Sequence, residues 1–129
     1  MKVNLIIPFK NSYEIKSRLS SLFNYEDRLE LSIIMLKDIL KAAFQSNIIS
    51  KIFIVSLFEF NIDNLNIEII VNKKDLNSAL YDVINISRKL NYDIQIIIPS
   101  DIPLIESEDF QTVVNLLKDY DIVISPSCD

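Results

Sequence analysis

Three cations, Lys10, Lys16 and Arg18, fall within nine residues of the segment Pro8-Phe9-Lys10-Asn11-Ser12-Tyr13-Glu14-Ile15-Lys16-Ser17-Arg18-Leu19. The segment leaves an apolar run that reads as a buried strand, which would gather these charges at a strand end. There an Arg fork and mobile Lys point charges can surround a polyphosphate. If Ile15 begins a helical turn, its free backbone N–H groups add to the anion site. From spacing alone, a solvated basic loop paired with Glu14, Glu26 or Asp27 accounts for the same residues.

A second constellation is Ile98-Pro99-Ser100-Asp101-Ile102-Pro103-Leu104. Asp101 follows an apolar run directly and sits between two prolines, which restrict the backbone around it. Such a carboxylate suits Mg²⁺, which takes one or two carboxylates and fills its shell with phosphate oxygens and water. An Asx-turn or a helix cap is the alternative. The third is Lys73-Lys74-Asp75-Leu76-Asn77-Ser78-Ala79-Leu80, where helix capping by Asp75 explains most of the pattern. Asn77, in the first turn, could still offer its amide to a base edge.

Absences narrow the chemistry. The 129 residues contain no histidine, so the commonest general base and metal ligand is missing. They contain no glycine, which excludes a Walker loop and a Rossmann fingerprint. The single cysteine, Cys128, excludes an internal disulfide and a cysteine-based zinc site, and fits a reducing cytoplasm. A formal net charge of −5 argues against a nucleic-acid partner, so a local basic cluster points to a smaller anion such as phosphate. No apolar run is long enough to span a bilayer, and the opening Met1–Pro8 is too short for a signal peptide, so no membrane association is expected.

The elements that must position these groups follow from periodicity. Residues 2–7 read as a buried strand ended by Pro8. Asn24 can cap a helix from Tyr25 to about Gln45, with Leu29, Ile33, Leu36, Leu40 and Phe44 on its apolar face. Lys51–Leu57 and Ile67–Val71 read as strands two and three. Asp75 caps a helix through Leu90 that turns Leu76, Leu80, Val83 and Ile84 to one side. Asp93–Ile98 is a further core strand, Ser107 caps a helix over Glu108–Lys118, and Asp121–Ile124 closes the pattern as a strand. Ile/Val-rich strands alternating with amphipathic helices predict one α/β domain over 1–129, a largely parallel sheet covered on both faces. In such sheets ligands bind at the carboxyl ends of the strands, here the loops after Ile7, Leu57 and Ile98. A receiver-like domain would need an acidic pair after the first strand, where Phe9-Lys10 stands.

Together the three segments resemble the CofC family, the 2-phospho-L-lactate guanylyltransferases of coenzyme F-420 biosynthesis. The matching pieces are Pro8, Lys10 and Lys16-Ser17-Arg18-Leu19, then Asp75-Leu76-Asn77 with Ala79-Leu80, then Asp101 with Pro103-Leu104. Lys-Ser-Arg-Leu after a strand is the most specific; Asp-x-Pro-Leu is shared more widely among nucleotidyltransferases. The resemblance implies a GT-A-like (Rossmann-like) nucleotidyltransferase fold. It implies transfer of GMP from GTP to the phosphate of 2-phospho-L-lactate, or of phosphoenolpyruvate or 3-phosphoglycerate, with release of pyrophosphate. Carried onto this chain, Lys10, Lys16, Ser17 and Arg18 would hold the triphosphate. Lys10, Lys16 and Arg18 would act catalytically by offsetting charge on the leaving pyrophosphate. Asp101 would hold Mg²⁺, Asn77 would lie near the base or ribose, and Pro8, Asp75 and Ser100 complete the expected nucleotide-binding set.

The chain departs from the pattern in two places. Asn11-Ser12 stand where the broader superfamily has a glycine-rich first loop. The family's chains also continue past a segment like Ile124–Asp129 into a glycine-rich acceptor loop and a second metal-binding carboxylate. The expectation is therefore a donor-nucleotide half-site with the acceptor half absent. Two other readings stand beside it: a molybdenum-cofactor-type nucleotidyltransferase, and a catalytically inactive nucleotide-binding or assembly module using an exposed strand edge at Asp121–Ile124. A homo-oligomer is compatible with each.

Overall fold

The computed structural model describes residues 1–9, 25–57, 59, 62, 64, 66–100 and 105–124, with residues 25–29 described by their backbone alone. The elements run β1 (Val3–Phe9), α1 (Tyr25–Ser46), β2 (Lys51–Ser56), β3 (Ile67–Val71), α2 (Leu76–Lys89), β4 (Ile94–Ile97) and α3 (Ser107–Leu116). The strands form one sheet in the order β3-β2-β1-β4, and every pairing is parallel. The expected parallel α/β architecture is the one found.

Alternation along β1 explains how one strand serves two cores. Val3, Leu5, Ile7 and Phe9 point to one face, where Ile52, Ile54, Ile96 and Ile98 join residues of α1 and α3. Ile6 points to the other, where Phe53 and Val55 meet Ala79 and Val83 of α2. Leu5, Ile6 and Ile7 are fully buried. Each such side chain contributes about 1.5–3 kcal/mol of transfer free energy. Burial on both faces is why β1 reads as a continuous apolar run.

Strand β1 does not stop before Pro8, as expected, but passes through it to Phe9, with Pro8 in register with Val55. The physical reason lies in the direction of its backbone groups. Ile6 O accepts from Ile98 N at 3.0 Å, so the even residues of β1 turn their amides toward β4. The β1–β4 register ends at Ile6 and Ile97, so the N–H that Pro8 lacks has no partner strand to meet.

A glycine-free chain must make its left-handed turns with other residues, and asparagine does so here. Asn47, after α1, has φ 59°, and Asn91, after α2, has φ 64°. Both sit where helices often end on a left-handed residue, a conformation asparagine tolerates better than branched residues.

Several local expectations are corrected. In α1 the buried face is Leu36, Ile39, Leu40, Ala42 and Ala43, while Phe44 is 38% exposed. The expected Leu36 and Leu40 are buried, Ala42 and Ala43 share their face in the core formed with α3 and the sheet, and Phe44 turns off it. In α2 the buried residues are Ala79, Val83 and Ser87, and Leu76 is exposed. Helix α3 begins at Ser107 itself, with Glu106 as its cap residue, whose backbone N–H donates to the Asp109 carboxylate at 2.8 Å. Asp121–Ile124 forms no strand, and Ile122 and Ile124 are 75% and 79% exposed. Four residues of suitable type give no strand without a neighbouring edge to bond to, and among the described residues they meet none. Among the described residues no helix is long and apolar enough to cross a membrane.

Candidate functional site

Because all four strands are parallel, their carboxyl ends lie along a single edge of the sheet. Those ends are Pro8–Phe9, Ser56, Val71 and Ile97. From β1 the chain crosses through α1 to β2 on one side; from β3 it crosses through α2 to β4 on the other. The crossovers therefore diverge between β1 and β4, which is where open α/β sheets form a ligand crevice. The described residues at the two strand ends flanking this crevice are Pro8 and Phe9 of β1 and Pro99 and Ser100 just past β4. Strands far apart in sequence are thus made neighbours by β1–β4 pairing.

Of the expected site residues, Pro8 stands at the end of β1, half-buried, and Ser100 stands half-buried just past β4. Lys10, Lys16, Ser17 and Arg18 lie outside the described residues, as do Asp101, Pro103 and Leu104. Among the described residues no group of three or more acidic or cysteine side chains is gathered that could hold a metal ion.

Asp75 and Asn77 sit at the start of α2, beyond the end of β3. Asp75 caps the helix, accepting from Ser78 N at 3.3 Å and from the Ser78 hydroxyl at 2.7 Å. The Ser78 hydroxyl, followed by the Ser78 backbone N–H, holds the Asp75 carboxyl below the usual carboxylate range. The capping expectation for Asp75 is met, and its side chain is committed to the helix. Asn77 is exposed in the first turn.

Sequence reasoning missed a network beside them. Asp82 Oδ2 accepts from Lys74 Nζ at 2.9 Å and from Asn72 Nδ2 at 3.1 Å. The Lys74 hydrogen bond first, and the Asn72 one second, lower the Asp82 carboxyl from its ordinary value. Asn72 Oδ1 also accepts from Lys74 N at 3.0 Å, and Asn72 N donates to Ser56 O at 2.9 Å. Spacings of two, eight and ten residues carry no motif; only the return of α2 against the loop brings them together.

A shallow surface depression of about 440 Å³ is lined by Lys37, Leu40, Lys41, Phe44 and Gln45, all on α1. These residues occupy the second half of α1, which returns toward the start of β2, and none belongs to the strand-end crevice.

Comparison with known proteins adds to this geometry. A family model described as guanylyl transferase CofC like matches residues 3–129. The 2-phospho-L-lactate guanylyltransferase of Methanocaldococcus jannaschii is 34% identical over 128 residues, covering 98% of this chain and 56% of that protein. The protein of the same name from Methanocella arvoryzae is 34% identical over 121 residues, covering 94% and 50%. The chain thus spans about half the length of the curated relatives it matches. Among solved structures, a protein described as a nucleotide-diphospho-sugar transferase from Desulfovibrio desulfuricans superposes with TM-score 0.74 at 17% identity, covering 93% of this chain and 56% of that one. CMP:2-keto-3-deoxy-manno-octonic acid synthetase, solved with CTP, gives TM-score 0.59 at 14% identity, covering 95% and 50%. These structural likenesses establish a shared fold.

Proposed function

The chain belongs to the CofC-like guanylyl transferase family, and from that premise we propose that it forms the donor-nucleotide portion of a GTP-dependent guanylyltransferase. The observation that carries the reading is topological. Strands β1 and β4 pair and the crossovers diverge between them, so Pro8 and Phe9 at the end of β1 lie beside Pro99 and Ser100 just past β4, and the motifs that match the family continue in sequence from these two ends. In this reading Lys10, Lys16, Ser17 and Arg18 hold the triphosphate. Asp101 holds Mg²⁺, which when bound offsets phosphate charge. Asn77 faces the base or ribose, and Pro8, Asp75 and Ser100 shape the surrounding backbone.

The reaction is the attack of an acceptor phosphate oxygen on the α-phosphorus of GTP. The new bond is P–O–P, the α–β bridging bond breaks, and pyrophosphate leaves with the electron pair. Because the acceptor is already anionic, the step needs alignment and screening of charge and no general base. The absence of histidine is consistent with that. The acceptor is a small phosphorylated acid, 2-phospho-L-lactate by the relatives' name, in coenzyme F-420 biosynthesis. Phosphoenolpyruvate and 3-phosphoglycerate are the alternatives of the same chemistry.

The test is pyrophosphate release from GTP and Mg²⁺ with each of the three acceptors, beside calorimetric GTP binding. Release with one acceptor is the expected result. Binding without release with any of them would support a nucleotide-binding module in place of an enzyme. Failure to bind Mg²⁺–GTP would overturn the reading. Arg18→Ala is expected to weaken triphosphate binding by roughly tenfold or more, the scale of a lost charge-assisted hydrogen bond. Asp101→Asn is expected to remove the Mg²⁺ dependence of GTP binding.

A further inference from the structure

We propose that Asp82 is a positioning residue for the nucleotide site, acting through Asn72 and Lys74 to fix the loop that presents the first turn of α2. The inference rests on the donor-nucleotide reading above and concerns how that site is held.

The loop Asn72–Asp75 joins β3 to α2 at the carboxyl edge of the sheet and contains neither glycine nor proline. Its shape must therefore come from hydrogen bonds. Asn72 is the hub: its N–H reaches Ser56 O at the end of β2, its Oδ1 takes the Lys74 N–H, and its Nδ2 donates to Asp82. Lys74 Nζ donates to the same Asp82 oxygen. One carboxylate on the second turn of α2 thus holds two points of the loop that enters the helix. A single substitution there releases both.

Stability is a poor reason for this arrangement. The Lys74 and Asp82 side chains are 61% and 35% exposed, and ion pairs so placed contribute little to folding. Helix α2 already has its cap in Asp75. What the clamp does fix is the position of Asn77 relative to the ends of β2 and β3. An amide that reads a base edge must be held to a fraction of an ångström, and a loose loop would lose that discrimination first.

The experiment measures Mg²⁺–GTP and Mg²⁺–ATP binding by calorimetry for the full chain and for Asp82→Ala, Asp82→Asn and Lys74→Met, with a thermal melt of each. Asp82→Ala is expected to weaken GTP binding about 5–10-fold, the scale of two lost polar contacts. It should lower the GTP:ATP preference by a similar factor while leaving the melt almost unmoved. Asp82→Asn keeps a carbonyl acceptor and is expected to restore most of the preference. Lys74→Met leaves the Asn72 bond and should lose only about 2–3-fold. Unchanged GTP affinity and unchanged preference in Asp82→Ala would overturn the proposal while sparing the donor-site reading. Were Asp82→Ala not to fold, an unchanged GTP affinity in Lys74→Met would overturn it equally. A parent chain that binds no Mg²⁺–GTP would overturn both.

Discussion

The two ends of the sheet are built differently. At the amino end, residues far apart in sequence are fastened to one another. Lys2 N donates to Asp93 Oδ2 at 2.7 Å, and Lys2 Nζ reaches Leu90 O at 3.0 Å while lying 4.6 Å from the centre of the Tyr92 ring. Val3 N donates to Ser50 Oγ and Asn4 Nδ2 to Lys51 O. At the carboxyl end, the side-chain bonds that shape the β3–α2 loop are local: Asp75 with Ser78, and Asn72 and Lys74 with Asp82. The amino end ties distant segments together, while the β3–α2 loop at the carboxyl end is shaped by its own neighbourhood.

The division can be broken by substitutions that should move stability alone or binding alone. The largest effect is expected from Phe53→Ala. Phe53 is buried on the α2 side and meets Tyr92 edge-on at 6.2 Å. Its loss should cost about 3–5 kcal/mol in urea unfolding, with GTP affinity of the folded chain unchanged. A matching loss of affinity under folding conditions would show that the two ends are coupled. Next is Asn91, at φ 64° near the amino end. Asn91→Val should cost about 1–2 kcal/mol, because a branched residue resists the left-handed region, while Asn91→Gly should be tolerated. Equal effects of the two would remove the backbone explanation. Asp93→Ala, which frees the Lys2 amide, should cost about 0.5–1 kcal/mol, reduced by its exposure.

The smallest effect is expected at the carboxyl end, and it depends on pH. The Asp75 carboxyl is held below its ordinary 3.8 in the folded chain. Its contribution is therefore present above pH 3.8 and is lost as pH falls through the lower folded value. Asp75→Ala should flatten the dependence of the melting temperature on pH below about 4 and leave it unchanged at neutral pH apart from the lost cap. An unaltered acid limb in the variant would show that the cap does not titrate with folding.

Much of this was legible before any coordinates. The runs at residues 2–7, Lys51–Leu57, Ile67–Val71 and Asp93–Ile98 read as strands and are strands; the two central ones, β1 and β2, are buried on both faces as their apolar runs require, while the edge strands β3 and β4 are only partly buried. Asp75 is an N-cap by residue type and position. Membership of the family was carried by Lys16-Ser17-Arg18-Leu19 and its companions, short motifs readable in one dimension. What linear reading could not decide was anything set by a neighbour. Large Phe44 and Leu76 looked like core, yet both are exposed while Ala43 and Ala79 are buried, because the packing partners decide which side of a helix is covered. Pro8 looked like a stop, yet the strand runs through it, because the missing amide faces the side where β4 has already ended. Asp121–Ile124 had strand-forming residues without an edge to join. The Asn72–Lys74–Asp82 clamp had no signature at all. Sequence by itself determined which segments are apolar on one side or two, and hence the elements and their class, since that depends only on side-chain type and period. Tertiary structure alone decided the order β3-β2-β1-β4, and with it the adjacency of β1 and β4, strands some ninety residues apart, since strand pairing is a choice among distant partners.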